Sequence, residues 1–329
     1  MAREKNPTAA SESKPAAQEK APSAATGSPA APGGAKAPAR SKDSPKSKPA
    51  KGKAQTKPRT RAKKTAPPPA PPPLVVGVGA SAGGLEAFTD LLRHLPRDTG
   101  MAFVLLQHLP PRQNSMLAQI LGKATVLPVA EAREGTVPEA DHVYILPPGE
   151  VMEIRQGALR LASRAMSAGR YLPVDTFLTS LAADRGGQAI GVILSGTASD
   201  GVQGMKAIKE AGGITFAQDD KTAKYPGMPQ SSVAAGCVDF VLTPEGIARE
   251  LARIARHPYI GPTAAEVMKP EEESVFGQIL NLLRRGTGVD FTFYKHSTIR
   301  RRTFRRMALC KVDDLKDYLS YLKEHSLCR

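Results

Sequence analysis

The ten residues Val75-Val76-Gly77-Val78-Gly79-Ala80-Ser81-Ala82-Gly83-Gly84 restrict the fold more than any other stretch of this chain. Two β-branched residues followed by alternating small ones end a buried strand. A serine falls at the turn, and two glycines open a helix running Leu85-Glu86-Ala87-Phe88-Thr89-Asp90-Leu91-Leu92. A strand-to-helix junction of this kind aims backbone N–H groups and the positive end of a helix at one spot. That spot suits a bound phosphate or the oxyanion of an acyl transfer, and what else Ser81 can reach decides between them.

From residue 74 to about 259 the pattern alternates strand and helix. Strands are expected at 74–78, 102–106, 142–146, 189–194, 214–217 and 239–242. Helices are expected up to 95 and at 115–122, 174–183, 201–211, around 231–235 and at 244–256. The helix at 174–183 carries Val174, Phe177, Leu178 and Leu181 on one face. Segments 152–154 and 158–161, separated by Arg155-Gln156-Gly157, read as a hairpin added to the sheet. Continuous apolar strands between helices indicate a mostly parallel sheet covered on both faces, hence a doubly wound α/β domain. Ligands of such domains sit outside the carboxyl ends of the strands.

That rule selects residues. The first strand ends at Ser81, the second at Gln107-His108, and the strand at 189–194 in Ser195-Gly196-Thr197-Ala198-Ser199-Asp200-Gly201. A serine hydroxyl is a weak nucleophile until an imidazole takes its proton, and the imidazole needs a carboxylate to hold its tautomer. Ser81, His108 and Asp200 are therefore the candidate nucleophile, base and acid. The bland alternative makes Ser81 a helix N-cap, His108 a satisfied turn residue and Asp200 a cap for the helix after it.

Two rival chemistries fit worse. Gly77-Val78-Gly79-Ala80-Ser81-Ala82 satisfies a dinucleotide-binding pattern, but the second strand ends in Gln107-His108 where a ribose-binding acid is wanted, and Asp98 precedes that strand. Gly79-Ala80-Ser81-Ala82-Gly83 also matches a nucleophile elbow, whose chain order would call on Asp239 and His257. His257, at the end of the last helix beside Pro258, is a poor place for a base.

Charge divides the chain. Of the net +15, residues 1–73 hold sixteen Lys and Arg against four Asp and Glu, a net +12, which leaves +3 for the other 256 residues. That segment has no Leu, Ile, Val, Phe, Tyr or Trp, and carries fifteen of the 29 prolines. It cannot bury enough apolar surface to offset the entropy of ordering, and is expected to be a disordered tail ending in the polyproline spacer Pro67-Pro68-Pro69-Ala70-Pro71-Pro72-Pro73. Its composition around Ser44-Pro45-Lys46-Ser47-Lys48 is similar to linker-histone tails. The first reading is a solubilising arm, and the second an anionic partner, DNA or a membrane surface, bound through counterion release. No apolar segment follows Met1 as a secretory signal would, and no run of eighteen apolar residues occurs. Cys237, Cys310 and Cys328 show neither metal spacing nor a disulfide framework. A cytoplasmic protein without metal or cofactor is expected.

Gly79-Ala80-Ser81-Ala82-Gly83-Gly84, Gln107-His108, Leu146-Pro147-Pro148-Gly149, Leu194-Ser195-Gly196-Thr197-Ala198-Ser199-Asp200-Gly201 and Met228-Pro229-Gln230-Ser231 together resemble the catalytic domain of CheB, the protein-glutamate methylesterase of bacterial chemotaxis. The resemblance spans residues 74–259. It implies a hydrolase that removes methyl esters from glutamates on the cytoplasmic helices of chemoreceptors and, in many members, deamidates glutamines there. The family's nucleophile, base and acid fall on Ser81, His108 and Asp200. The oxyanion is expected at backbone amides of Ala82, at the start of the following helix, and of Thr197, in the Gly196–Thr197 loop. Two positions depart from the family pattern: Ala82 stands where threonine is frequent, and Thr197 where methionine is frequent. Residues 1–73 contain only Glu4, Glu12, Glu19 and Asp43 as acids and no strands, so no phosphorylatable receiver domain is expected there.

A second composition begins after Tyr259, with a linker expected at 260–273. Residues 275–283 are apolar at helical spacing, a basic helix at 297–309 holds Arg300, Arg301, Arg302, Arg305 and Arg306, and a helix at 312–323 presents Leu315, Tyr318, Leu319 and Leu322 on one face. The arginines form either a solvated helix face or an electrostatic attraction for an acidic partner. With Tyr294-Lys295-His296-Ser297-Thr298-Ile299-Arg300-Arg301-Arg302, the segment 274–329 resembles the small all-α N-terminal domain of CheR, the opposing methyltransferase. The order of parts resembles a CheB–CheR fusion that ends before the methyltransferase domain, so no methyltransferase activity is expected. The non-enzymatic alternative is a silent scaffold tethered by the basic tail.

Overall fold

A computed structural model describes residues 72–108, 116–164, 171–257 and 268–325, with only the backbone of Thr292. The expected disordered tail and its polyproline spacer up to residue 71, and the linker up to 267, lie outside the described residues. Seven strands form one sheet: β1 (Leu74–Ala80), β2 (Met101–Gln107), β3 (Val129–Glu131), β4 (Val143–Ile145), β7 (Ala189–Ile193), β8 (Ile214–Gln218) and β9 (Phe240–Leu242). Between β4 and β7 in the chain lie β5 (Glu150–Arg155) and β6 (Ala158–Ser163). The order across the sheet is β3-β4-β2-β1-β7-β8-β9, and every pairing in it is parallel. The doubly wound architecture is thus as expected. From β1 the chain winds outward through β2 and later returns to β7 on the other flank, so the crevice between β1 and β7 is the topological switch point.

Alternation along β1 assigns the two faces. Val76, Val78 and Ala80 pack under α1 (Gly84–Arg93), α2 (Leu117–Gly122) and α6 (Pro244–Ala255), in one cluster with Phe88, Leu91, Ile247 and Leu251. Val75, Val104 and Ile193 pack under α3 (Pro173–Arg185) and α4 (Val202–Glu210), with Phe177, Leu178, Leu181, Met205 and Ile208. Each such fully buried side chain contributes about 1.5–3 kcal/mol. The glycines of β1 permit the second contact. A Cβ at Gly77 would lie 2.5 Å from Leu178 Cδ2, and one at Gly79 2.3 Å from Val174 Cγ1. Helix α3 therefore rests directly on the central strand, and Gly79→Val would lift it off.

Two expectations about this domain are corrected, and one strand is added. The hairpin β5–β6 is not part of the main sheet but a separate antiparallel pair, turned through Gln156 and Gly157 at φ 51° and 78°. It sits on α3, where Ile154 N–H donates to Ser180 Oγ (3.0 Å) and Gly157 N–H to Asp184. The edge beyond β4 is taken by β3, three residues too short to show a period. Helix α5 (Gly227–Ala234) begins four residues before the expected 231.

The C-terminal segment is all-α: α7 (Pro270–Thr287), α8 (His296–Leu309) and α9 (Leu315–His325) close on Phe276, Ile279, Phe304, Met307 and Leu319. Helix α7 takes in 270–273, which were expected to be linker. Two of the five arginines of α8 are paired within the chain. Arg305 Nε donates to Gly213 O (2.7 Å) and its Nη2 to Asp239 Oδ2 (2.6 Å), Arg300 pairs with Glu273, and Arg301 lies over Gly187, where a Cβ would be 2.6 Å from its Cδ. Arg301, Arg302 and Arg306 stay exposed. Ala308 joins the cluster beneath α1 and α6, and Arg253 Nη2 donates to its carbonyl at 2.5 Å. The helical segment is thereby packed against the amino-terminal edge of the sheet.

Candidate active site

Register brings the serine and histidine together. Ala80 pairs with Gln107 and Gly79 with Ile193, so Ser81, His108 and Ser195 leave adjacent strands at one level. Parallel neighbours lie about 4.8 Å apart. Ser81 also adjoins Gly196, where a Cβ would stand 3.1 Å from Ser81 Cβ and 2.1 Å from Met228 Sδ. The bland alternative for Ser81 fails, because α1 begins at an N-cap Gly83 with φ 70° and no side-chain cap. Among the described residues the Ser81 hydroxyl makes no hydrogen bond, to His108 or to any other group; such bonds are commonly long before substrate binds.

Asp200 completes the group from the loop after β7. Its Oδ2 lies 2.9 Å from His108 Nε2, with the Asp200 side chain 2% and the His108 side chain 27% exposed. The carboxylate does not cap the helix after it, as the bland alternative would have it. It instead accepts from the second and third residues of α3, Val174 N–H to Oδ2 (3.1 Å) and Asp175 N–H to Oδ1 (2.9 Å). A buried carboxylate is costly without such partners, and the positive end of α3 supplies both amides and field. Because Asp200 holds Nε2, the ring presents Nδ1 for proton exchange with a hydroxyl. Asp175 in turn accepts from Gly204 N–H at 2.9 Å. Burial pushes the Asp175 carboxyl above its ordinary range, against the Gly204 hydrogen bond and with the Asp200 charge.

Ser195 ties the two loops. Its carbonyl accepts from Ser81 N–H (3.0 Å), its Oγ donates to Ala82 O (2.9 Å) and accepts from Tyr225 N–H (3.0 Å), and its N–H donates to Gln218 Oε1 (2.8 Å). Gly83 has no room for a Cβ, which would stand 2.7 Å from Ser195 Oγ. These bonds also sort the amides expected to face an oxyanion. Gly84 N–H is committed to Ser81 O and Gly196 N–H to Tyr225 O. Among the described residues the N–H groups of Ala82 and Thr197 donate to nothing.

Tyr171 escaped the sequence reading. Its ring meets His108 edge-on with centroids 5.8 Å apart, its hydroxyl donates to Glu150 O (3.0 Å), and the Arg164 guanidinium lies over the ring, 4.1 Å from the centroid. Burial pushes its phenol up, so it stays protonated and apolar against the imidazole. Only its place just ahead of Pro173, the first residue of α3, offered a signal. The elbow rival is overturned: Asp239 and His257 both sit at the amino edge, held by Arg305 and by Val312 O. A recess of about 730 Å³ lies off the triad, between the hairpin and α3, lined in part by Glu153, Arg155, Thr176 and Gln203. Among the described residues no group of three His, Cys, Asp or Glu could hold a metal ion, and no helix is long and apolar enough to cross a membrane.

A doubly wound parallel sheet whose carboxyl edge gathers an Asp–His pair beside a serine defines the class as an α/β domain with its candidate site outside the strand ends. Residues 76–251 match the family model of the CheB methylesterase, and the chain belongs to that family. Residues 274–329 match the all-alpha domain of the CheR methyltransferase. Among curated relatives, protein-glutamate methylesterase/protein-glutamine glutaminase 2 of Burkholderia pseudomallei is 37% identical over 183 residues, 55% of this chain and 54% of its own length. An uncharacterized 104.1 kDa protein of Rhodobacter capsulatus is 35% identical over 227 residues, 63% of this chain and 24% of its own. The chain thus spans about half the length of the curated methylesterase and a quarter of the longer relative. The crystal structure of the Thermotoga maritima CheB methylesterase catalytic domain superposes with a TM-score of 0.51 at 29% identity, covering 55% of this chain and 98% of that one.

Proposed function

We propose that residues 74–259 form a protein-glutamate methylesterase acting on methylated glutamates of chemoreceptor cytoplasmic helices, with the helical segment 274–329 as a docked companion. The observation that carries this reading is the 2.9 Å contact of His108 with buried Asp200, on the strand next to a serine with an uncommitted hydroxyl. His108 Nδ1 takes the Ser81 proton as Oγ attacks the ester carbonyl. The oxyanion faces the amides of Ala82 and Thr197. Collapse breaks the bond to the methoxy oxygen, which leaves as methanol with the proton from His108. Water then attacks the Ser81 ester, giving its proton to His108, and Ser81 recovers that proton as glutamate departs. Deamidation follows the same course with ammonia as the leaving group. Asp200 holds the imidazole throughout, and Tyr171 limits its swing. The reaction belongs in the cytoplasm, where receptor signalling helices lie.

The test is methanol release from methyl-labelled receptor fragments. Ser81→Ala should lower it by on the order of 10⁴-fold or more. Release by the variant at the wild-type rate would refute the assignment.

A further inference from the structure

The acid of the triad is carried on a loop, Ser195 to Gly201, and loops do not by themselves hold a carboxylate to a fraction of an ångström. Here the holding is reciprocal. Asp200, just ahead of α4, accepts from the first-turn amides of α3, Val174 and Asp175. Asp175, in the first turn of α3, accepts from the first-turn amide of α4, Gly204, and the amides of Gln203 and Gly201 point at the same carboxyl. Each helix is thus capped by a carboxylate borne at the start of the other. The residues that Asp175 holds are those immediately following Asp200.

The close approach is written into the backbone. A Cβ on Gly204 would stand 2.4 Å from Leu178 Cβ and 3.2 Å from Asp175 O. Gly201 adopts φ 101°, and a Cβ there would meet Ile193 Cδ1 at 2.5 Å and Val174 Cγ1 at 2.9 Å. Only glycines let the two helix starts meet. The two carboxylates are brought near each other at a cost in repulsion, offset by two sets of helix N-terminal amides. A lone N-cap needs no such arrangement.

We propose that Asp175 is a positioning residue for the esterase site: by holding the start of α4 it locks Asp200, and through Asp200 the ring of His108. Asp175 touches neither substrate nor the reacting atoms. The inference rests on the methylesterase reading, so its test uses a probe that needs no receptor. Full-length protein is treated with a fluorophosphonate, and the rate of covalent labelling at Ser81 is measured well below the melting temperature, with Ser81→Ala as the blank. Asp175→Ala should slow labelling on the order of 10- to 100-fold, since an ångström of misplacement has effects of that size. Asp175→Asn keeps an oxygen acceptor for Gly204 N–H and should stay within about threefold of wild type on the same geometric argument. The imidazole N–H proton of His108 should give a downfield resonance in wild type and Asp175→Asn that is lost in Asp175→Ala.

Wild-type labelling in a folded Asp175→Ala protein with the resonance intact would make Asp175 a plain helix cap and overturn the proposal. Should that variant not fold, Asp175→Ser, with its shorter acceptor, takes its place under the same criteria. Failure of the wild type itself to label would overturn the esterase reading, and this inference with it.

Discussion

Two aspartates, Asp200 and Asp239, lie at opposite ends of one sheet, and each is almost out of water, with side chains 2% and 6% exposed. Asp200 stands at the carboxyl edge and faces a histidine that solvent can still reach. Asp239 stands at the amino edge, where Thr215 N–H and Oγ1–H donate to it and Arg305 closes it off. The first is held by the backbone amides of Val174 and Asp175 and faces an imidazole, a side chain able to change its charge. The second meets a guanidinium that never does. One buried acid thus faces an imidazole at an open edge, and the other is closed by a fixed cation where two segments meet.

That contrast breaks most sharply at Asp200. Asp200→Asn keeps the shape but removes the charge that stabilises the imidazolium, and methanol release should fall on the order of 10⁴-fold. The melting temperature should fall as well, because Oδ1 and Oδ2 each accept one α3 amide and the single amide oxygen of Asn replaces only one of them. The next largest effect belongs to the other edge and has a different signature. Arg305→Ala leaves Asp239 buried with one neighbouring cation, Lys209 at 3.6 Å, and should cost about 3 kcal/mol of stability, the lower range for breaking such a pair. Denaturant unfolding would show the loss, while Ser81 labelling should stay at the wild-type rate. A large activity loss in Arg305→Ala would mean that the two edges are coupled.

The carboxyl edge was legible in the sequence for a topological reason. Once the strands are parallel, their ends must lie together, so Ser81, His108 and Asp200 converge without any knowledge of packing. What holds Asp200 was not legible, because the amides of Val174 and Asp175 belong to a helix 25 and 26 residues away in the chain. The amino edge was illegible for the same reason. Arg305 and Asp239 are 66 residues apart, and a helix bearing five arginines shows no sign of which one turns inward. The glycines carried more than was read from them. Gly77, Gly79 and Gly204 look like strand and helix breakers, but mark where α3 presses on β1 and on α4.

A third effect sharpens the picture of the amino edge through pH. Burial pushes the His257 imidazole below its ordinary 6.5, and Arg253 adds to this, while the hydrogen bond to Val312 O and the Asp313 carboxylate at 3.5 Å work against it. The folded protein therefore binds less proton here than the unfolded chain does. Its contribution to stability is complete above 6.5 and is lost as pH falls from there toward the lowered value. Wild type should lose melting temperature between pH 7 and 5.5 more steeply than His257→Gln, whose amide can still donate to Val312 O. Parallel slopes would remove His257 from the joint between the segments.

The smallest effect on stability comes from comparing two hydroxyls on the carboxyl edge itself. Thr243 follows β9 as Ser81 follows β1, and each precedes a helix. Thr243 has extended backbone, and its Oγ1 accepts from Gly246 N–H at 3.0 Å, which caps α6. Ser81 is separated from its helix by Ala82 and the left-handed Gly83, and its hydroxyl does not cap α1. Thr243→Ala should therefore cost about 1 kcal/mol in denaturant unfolding and leave methanol release unchanged. Ser81→Ala should do the reverse, with release abolished and unfolding free energy within a few tenths of a kcal/mol of wild type, roughly the scatter of exposed substitutions. A stability loss in Ser81→Ala as large as that in Thr243→Ala would show that its hydroxyl serves the helix after all. Two intervening residues, one of them a glycine at φ 70°, are what turn a helix cap into a candidate nucleophile.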